Sequence, residues 1–279
     1  MPCQKRQIAQ EFGEYGISRA CRVLEFSRSM MYYAPKRDDS QVEQAIMAQL
    51  NKRDNQGFNK VFDRLGLEGY QWNHKRVYRV YRKMGLSIRK NKRKRLPARV
   101  KEPLEVPGRL NHTWSMDFLQ DRLENGRKFR CFVVLDDANR EALHVDIDHS
   151  LKSKRVIWVL NHLVNRNGKP KRIRMDNGPE FIARILVEWA QAHQIDLLYI
   201  QPGRPMQNAY VERFNGSYRR GVLNAYLFES LEQVREQTHH WVHDYNHHRP
   251  HDSLKKLPPV LFAQKHLLGA SPQQVKPKT

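Results

Sequence analysis

The chain has 279 residues, room for roughly two domains, and carries 50 Lys+Arg against 29 Asp+Glu, a formal net charge of +21; this excess points to a polyanionic partner, most simply nucleic acid. Three scattered cysteines, Cys3, Cys21 and Cys131, form no CxxC pair, which excludes a disulfide scaffold and a zinc ribbon. No apolar run nears the ~20 residues of a membrane helix, and the opening "MPCQKRQIAQEFGEY" lacks a signal peptide's apolar core, so a reduced, soluble, cytoplasmic chain without membrane contact is expected.

The charge is uneven: residues 1–100 hold 23 Lys+Arg against 9 Asp+Glu, the other 179 residues 27 against 20. In the basic part, residues 16–33 read as two short helices, with Ala20, Val23 and Leu24 at helical spacing and Ser27 as a cap for the second. Residues 41–51 form an amphipathic helix. The plan then repeats: one helix ends at Gly66 and another begins near Asn73, with Val77, Val80, Tyr81 and Met84 on its apolar side. Two helix-turn-helix-like units in a basic region fit DNA binding, although helical hairpins occur in many folds. In such units the second helix enters the major groove; here it carries His74, Lys75, Arg76, Arg79, Arg82 and Lys83. Residues 89–99, "RKNKRKRLPAR", include Lys92, Arg93, Lys94 and Arg95. They read as a linker that also binds phosphates in a salt-dependent way. The prolines of "EPLEVPGRLN" place the boundary near residue 110, giving a helical DNA-binding region 1–88, a linker 89–110, a second domain 111–265 and a tail 266–279.

Beyond the linker the texture becomes α/β. Strands are expected at 112–120, 128–138, 141–148, 171–176 and 195–200, and helices at 150–168, 179–193 and from about Ala209. Three strands, then helix, strand, helix, strand and helix imply a mixed sheet. Trp114, Trp158, Trp189 and Trp241 are expected in the core, and Cys131 as a buried thiol. The six histidines of "HHWVHDYNHHRPH" at 239–251 include an i, i+4 pair, His239 and His243, but no zinc site is expected from them.

Three acids stand out. Asp117 interrupts an apolar strand, where Asp is depleted; the plain alternative is an edge strand with a solvated Asp. Asp176 opens "DNGPEF" at the end of a strand. It reads as a turn residue or as a ligand-binding group, since sites in open α/β sheets gather at strand ends. Glu212 lies in "NAYVERFNGSYRR". On a helix, Val211, Phe214, Tyr218 and Val222 make a packing face. Asn208, Glu212, Asn215, Gly216 and Arg219 fall on another, with Glu212 and Arg219 roughly 10 Å apart; a solvated polar face is the alternative. Brought together, three carboxylates repel and shift one another's pKa. A divalent ion with oxygen preference relieves that, and two ions ~3.5–4 Å apart can serve phosphodiester chemistry.

The segments "WSMDF", "DNGPEF", "QPGRPMQNAYVERFNGSYRR" and "YNHHRPHDSL" follow one another in order, with 35 residues between Asp176 and Glu212. In these motifs, over roughly residues 16–262, the chain resembles the DDE-type insertion-sequence transposases, second-frame products related to retroviral integrases. The resemblance implies an RNase H-like core with a mixed five-stranded sheet and flanking helices, preceded by an all-α helix-turn-helix region. It implies that Asp117, Asp176 and Glu212 bind two Mg²⁺ or Mn²⁺ ions and that residues 201–208 form a loop beside the site. Arg219, seven residues after Glu212, would contact DNA near the reacting end, with Asn208 and Asn215 beside it. The implied reaction is cleavage at the element's ends and attack of the freed 3′-OH on target DNA. The implied partners are terminal repeats, target DNA, further copies of the chain on DNA, and the first-frame (OrfA) product, often joined by frameshifting. Two segments depart from the family's pattern, "DANRE" at 137–141 and "GFNK" at 57–60; the second leaves the DNA contacts of that region open. A non-catalytic DNA-binding regulator or inhibitor is the alternative reading, and a nuclease on the same fold is a third.

Overall fold

The computed structural model describes residues 2–11, 16–25, 27–32, 38–52, 57–87, 107–201 and 205–266. The chain forms two compact units, 1–45 and 46–279. The first holds α1 (Pro2–Glu11), α2 (Ile17–Val23) and α3 (Arg28–Met31). Ala9, Cys21 and Met31 form its small core. Val23 was expected on the apolar side but is 77% exposed, and Cys21 is buried instead. Ser27 stands at the start of α3 without a side-chain capping bond.

The division falls within α4 (Ser40–Lys52). The second unit continues with the hairpin α5 (Phe58–Leu67) and α6 (His74–Lys83). Asn73 caps α6 by accepting from the Lys75 N–H at 2.8 Å, satisfying a donor that the helix itself leaves free. Val77, Val80 and Tyr81 are buried, while Lys75, Arg79, Arg82 and Lys83 are exposed. The hairpin is fastened to the rest of its unit by charge. Arg64 makes two bonds to the Asp244 carboxylate, at 3.0 and 2.6 Å, with side chains only 8% and 15% exposed. Lys60 donates to the Pro250 carbonyl at 2.7 Å, and Lys256 pairs with Asp63.

The α/β part contains β1 (Thr113–Arg122), β2 (Lys128–Asp136), β3 (Ala142–Asp148), α7 (Ser153–Asn167), β4 (Arg172–Met175), α8 (Arg184–Ala192), β5 (Asp196–Tyr199), α9 (Ala209–Tyr218), α10 (Leu231–His247) and α11 (Pro259–His266). The strand order is β3-β2-β1-β4-β5. The first three strands are antiparallel; β4 and β5 run parallel to β1. This is the expected five-stranded mixed sheet with helices on both faces. Side chains alternate across β1. Trp114 and Met116 enter the core beneath α7 and α8; Leu119 enters the core beneath α9 and α10. Covering on both faces explains why β2 reads as a nearly continuous apolar run.

Two expectations need correction. The second crossover helix begins at Arg184, not at 179. Residues 178–181 instead make a turn closed by the Phe181 N–H on the Gly178 carbonyl at 2.9 Å. That turn buries Phe181 between Phe118 and Phe132, a gain that extending the helix would forfeit. Trp158 is 54% exposed on α7 rather than core, covered on one face by the Arg155 guanidinium at 4.2 Å. Trp114, Trp189 and Trp241 are buried. Cys131 is fully buried and free, and burial pushes its thiol up to about 12. Among the described residues, no helix is long and apolar enough to cross a membrane.

Behind α9 the chain widens into a π turn, Arg219–Leu223, a feature that recurs at functional sites. Its middle residue, Gly221, touches the indole of Trp241. A Cβ there would lie 2.3 Å from Nε1, far inside van der Waals contact. Trp241 is itself fixed by Phe214, Tyr218 and Tyr245. Gly221→Ala therefore overpacks this cluster and is expected to lower stability by about 1–3 kcal/mol. Urea denaturation checks this, and an unchanged midpoint would refute the close packing.

Candidate active site

Asp117 stands in the middle of β1. Its Oδ1 accepts from the Phe118 N–H at 2.8 Å and its Oδ2 from the Asn215 amide at 2.8 Å. Burial pushes the carboxyl up to about 6, and the charges of Asp176 and Glu212 push the same way. The two strands explain the pairing with Asp176. Ser115 pairs with Arg174 in the parallel register of β1 and β4, so positions two residues further on lie beside each other on one face. Those positions are Asp117 and Asp176. Asp176 also turns the chain, because its Oδ1 accepts from the Gly178 N–H at 3.0 Å. A Cβ on Gly178 would stand 3.1 Å from that oxygen, so glycine permits the close approach. Glu212 comes from the first turn of α9, and partial burial raises its pKa. The structure thus brings the three acids from β1, the end of β4 and α9 into electrostatic range.

The remaining residues expected at the site fall in different places. Asn215 is buried; its amide serves Asp117, and its Oδ1 is buried without a hydrogen-bond partner. Asn208 is also buried and reaches the Met116 carbonyl at 3.5 Å. Helical periodicity put both on a polar face, but that face is turned onto β1. Arg219 ends the α-helical stretch. Its guanidinium donates to the Gln120 carbonyl at 2.9 Å and to Asp121 at 3.3 Å, leaving the side chain 40% exposed. Lys75, Arg76 and Arg79 lie on α6. Lys92, Arg93, Lys94 and Arg95 lie outside the described residues, as do residues 202–204 of the expected loop. The ring centroids of His243 and His247 are 4.6 Å apart.

Among the described residues, no group of three or more His, Cys, Asp or Glu side chains has the spacing to hold a metal ion. The donor chemistry of the three acids nevertheless suits a hard divalent cation. All three offer oxygen, and Asp117 feels the repulsion of the other two. Sequence reasoning missed the residues beneath the acids: Ser115, Asp137, Arg140, Arg174 and Tyr210. The visible signals were Asp136 and Asp137 at the end of an apolar strand and the departing segment "DANRE" that holds Asp137 and Arg140.

Residues 108–205 and 193–259 match models of the integrase core domain. The chain is 40% identical over 250 residues to an uncharacterized 31.7 kDa protein of insertion element IS407 from Burkholderia multivorans, covering 89% of this chain and 90% of that protein. It is 36% identical over 271 residues to an uncharacterized 39.2 kDa protein of insertion element IS476 from Xanthomonas euvesicatoria, covering 94% and 77%. Among solved structures, a chain of the simian T-cell lymphotropic virus intasome in complex with PP2A regulatory subunit B56 gamma aligns with a TM-score of 0.50 at 17% identity, over 84% of this chain and 79% of that one. This last likeness is one of fold.

The position of Asp117 sets a pH dependence. Its pKa rises from 3.8 in the ordinary case to about 6 on folding. Folding therefore favours the protonated form, and the stability this contributes is present below pH ~4 and lost as pH rises through ~6. Asp117→Asn, neutral throughout, is expected to gain about 2–3 kcal/mol over metal-free wild type between pH 4 and pH 8. Thermal melts in EDTA at the two pH values measure it; a pH-independent difference would contradict the assignment.

Proposed function

This chain belongs to the insertion-element transposases of the integrase catalytic core family, and we propose that Asp117, Asp176 and Glu212 are its catalytic acids. As a family member it is a polynucleotidyl transferase. The observation that carries the assignment is the strand register that sets Asp117 beside Asp176, with Glu212 near enough for both charges to act on Asp117.

In this reading, Asp117, Asp176 and Glu212 hold two Mg²⁺ or Mn²⁺ ions. Bound there, the ions supply activation of the attacking oxygen and stabilisation of the leaving oxygen at phosphorus. The chain's own residues do the placing. The Phe118 N–H and the Asn215 amide each take one oxygen of Asp117, which fixes the plane of that carboxylate. Asp176 is fixed by its bond to the Gly178 N–H. Arg219, half anchored to β1, keeps its remaining donors for a DNA phosphate. The reaction frees a 3′-OH at the element's end. That oxygen then forms a new bond to phosphorus in the target strand as the old P–O bond breaks, so no external energy source is needed.

Residues 1–88 and the 89–110 linker form the DNA-binding part in this reading, 111–265 the catalytic part and 266–279 a tail. Lys75, Arg76 and Arg79 on α6, with Lys92, Arg93, Lys94 and Arg95 in the linker, neutralise phosphates. Asn208 and Asn215 act on the DNA only through the acids they help to place. The partners are element ends, target DNA, further copies of the chain on DNA and the first-frame product; the setting is the cytoplasm.

A labelled duplex bearing the element's end tests this, with Mg²⁺ or Mn²⁺ and with EDTA. Asp176→Asn is expected to keep duplex binding and to lose at least about a hundredfold in cleavage and joining. Normal joining by that variant would refute the catalytic assignment, and binding without metal-dependent reaction in wild type would favour a regulator. Removing Lys75, Arg76 and Arg79 together is expected to flatten the slope of log affinity against log salt by roughly 2–3. An unchanged slope would take α6 off the DNA.

A further inference from the structure

Each of the three acids has, two residues before it in the chain, a side chain held by one turn. The turn is residues 137–140, between β2 and β3. Asp137 is fully buried, and its N–H donates to the Thr113 carbonyl at 2.9 Å. Its Oδ1 accepts from the Ser115 hydroxyl at 2.5 Å, and its Oδ2 from the Arg174 guanidinium at 2.7 Å. Ser115 precedes Asp117 by two and Arg174 precedes Asp176 by two, and Ser115 and Arg174 are partners across β1 and β4. Side chains at i and i+2 share a strand face. One buried carboxylate therefore ties the two adjacent strands together one side-chain layer behind the acids.

The same turn reaches the third acid. Arg140 sits at φ 63°, a region that non-glycine residues seldom adopt. It lays its guanidinium 3.5 Å from the centroid of the Tyr210 ring, and Tyr210 precedes Glu212 by two in α9. The turn's backbone is pinned by Asp136, whose carboxylate accepts from the N–H groups of Asn111 and Ala138 at 2.8 Å each. The Arg140 N–H closes the turn on the Asp136 carbonyl at 2.9 Å. Apolar side chains would fill this volume without the desolvation that a buried ion pair carries. Strained backbone tends to be kept where it serves a site.

We infer that the 137–140 turn positions the active site: Asp137 sets the spacing of Asp117 and Asp176, and Arg140 sets that of Glu212. These are positioning residues and do not touch DNA. The inference rests on the reading of the three acids as catalytic.

The test uses the full chain, the labelled end duplex and Mn²⁺. Three quantities are followed: the joining rate, the KM for duplex, and the Mn²⁺ concentration that gives half of its thermal stabilisation. Asp137→Asn is expected to lower the joining rate about 10–100-fold, as loss of outer-shell partners does. It leaves KM for duplex within about twofold and raises the half-saturating Mn²⁺ in the same proportion as the rate falls. This variant leaves Arg174 buried without its partner, so folding is a concern. The double variant Asp137→Asn with Arg174→Gln removes both charges and is expected to regain the melting temperature but neither the rate nor the Mn²⁺ half-saturation. If both return with stability, Asp137 merely neutralises a buried cation and the inference falls. Arg140→Leu is expected to slow joining while leaving duplex KM alone; an unchanged rate removes Arg140 from the device. Asp176→Asn runs beside them. Normal joining by that variant would sink the catalytic reading instead, and the Mn²⁺ titration of the Asp137 variants would still report on positioning.

Discussion

Mutual repulsion of carboxylates is the constraint around which the catalytic unit is arranged. A parallel pair of strands brings Asp117 and Asp176 side by side, and α9 adds Glu212. Left alone, such a group would splay or take up protons. The surrounding donors oppose splaying. Two N–H groups and one amide hold the oxygens of the first two acids, while the backbone of α9 is held by packing. Burial first, and then the charges of Asp176 and Glu212, keep Asp117 hard to ionise in spite of these fixed donors. The electrostatic deficit that this leaves is what suits the group to cations.

Packing makes the arrangement rigid. The helix carrying Glu212 rests on an aromatic cluster of Phe214, Tyr218, Trp241 and Tyr245. Tyr218 is sealed by bonds to Thr238 and Cys131. Each such buried ring contributes roughly 1.5–3 kcal/mol through its removal from water. The absence of a side chain at Gly221 lets the indole close against the π turn. The Asn246 amide, bonded to both the N–H and the carbonyl of Ala142 at 2.9 Å, ties α10 to the start of β3. The helix that carries Glu212 is therefore located by its far side, which leaves its acid-bearing side unconstrained by the aromatic cluster.

The sheet was legible in the sequence because each strand is either a dense apolar run or a clean alternation, with turn residues between. Asp117 was legible for the opposite reason: it breaks an apolar run. Val211, Phe214, Tyr218 and Val222 repeat at helical spacing and are all buried. What failed was local reasoning about non-local burial. Periodicity put Asn208 and Asn215 on the face of Glu212 but could not show that β1 brings its own polar group, Asp117, to meet that face and bury both amides. Trp158 is large and apolar, yet its place on α7 gives it only the polar side chains of Arg155 and His162 to lie against among the described residues. The Asp137–Arg174 pair joins residues 37 apart in sequence and carries no periodic signal. The turn at 178–181 lost out to a helical reading because Pro179 suits a helix's first turn, and only tertiary burial of Phe181 decides.

The bracket between Arg64 and Asp244 gives the molecule two kinds of response to ionic strength. Exposed cations on α6 act through water, so their attraction for any opposite charge fades as the Debye length shortens. The Arg64–Asp244 contact is largely shielded from solvent, so mobile ions screen it far less. Raising salt therefore weakens the pull of these exposed cations well before it loosens the hairpin from α10. The hairpin, α10 and the sheet of the second unit thus stay together, and the three acids keep their register, under salt that strips its surface charges of their reach.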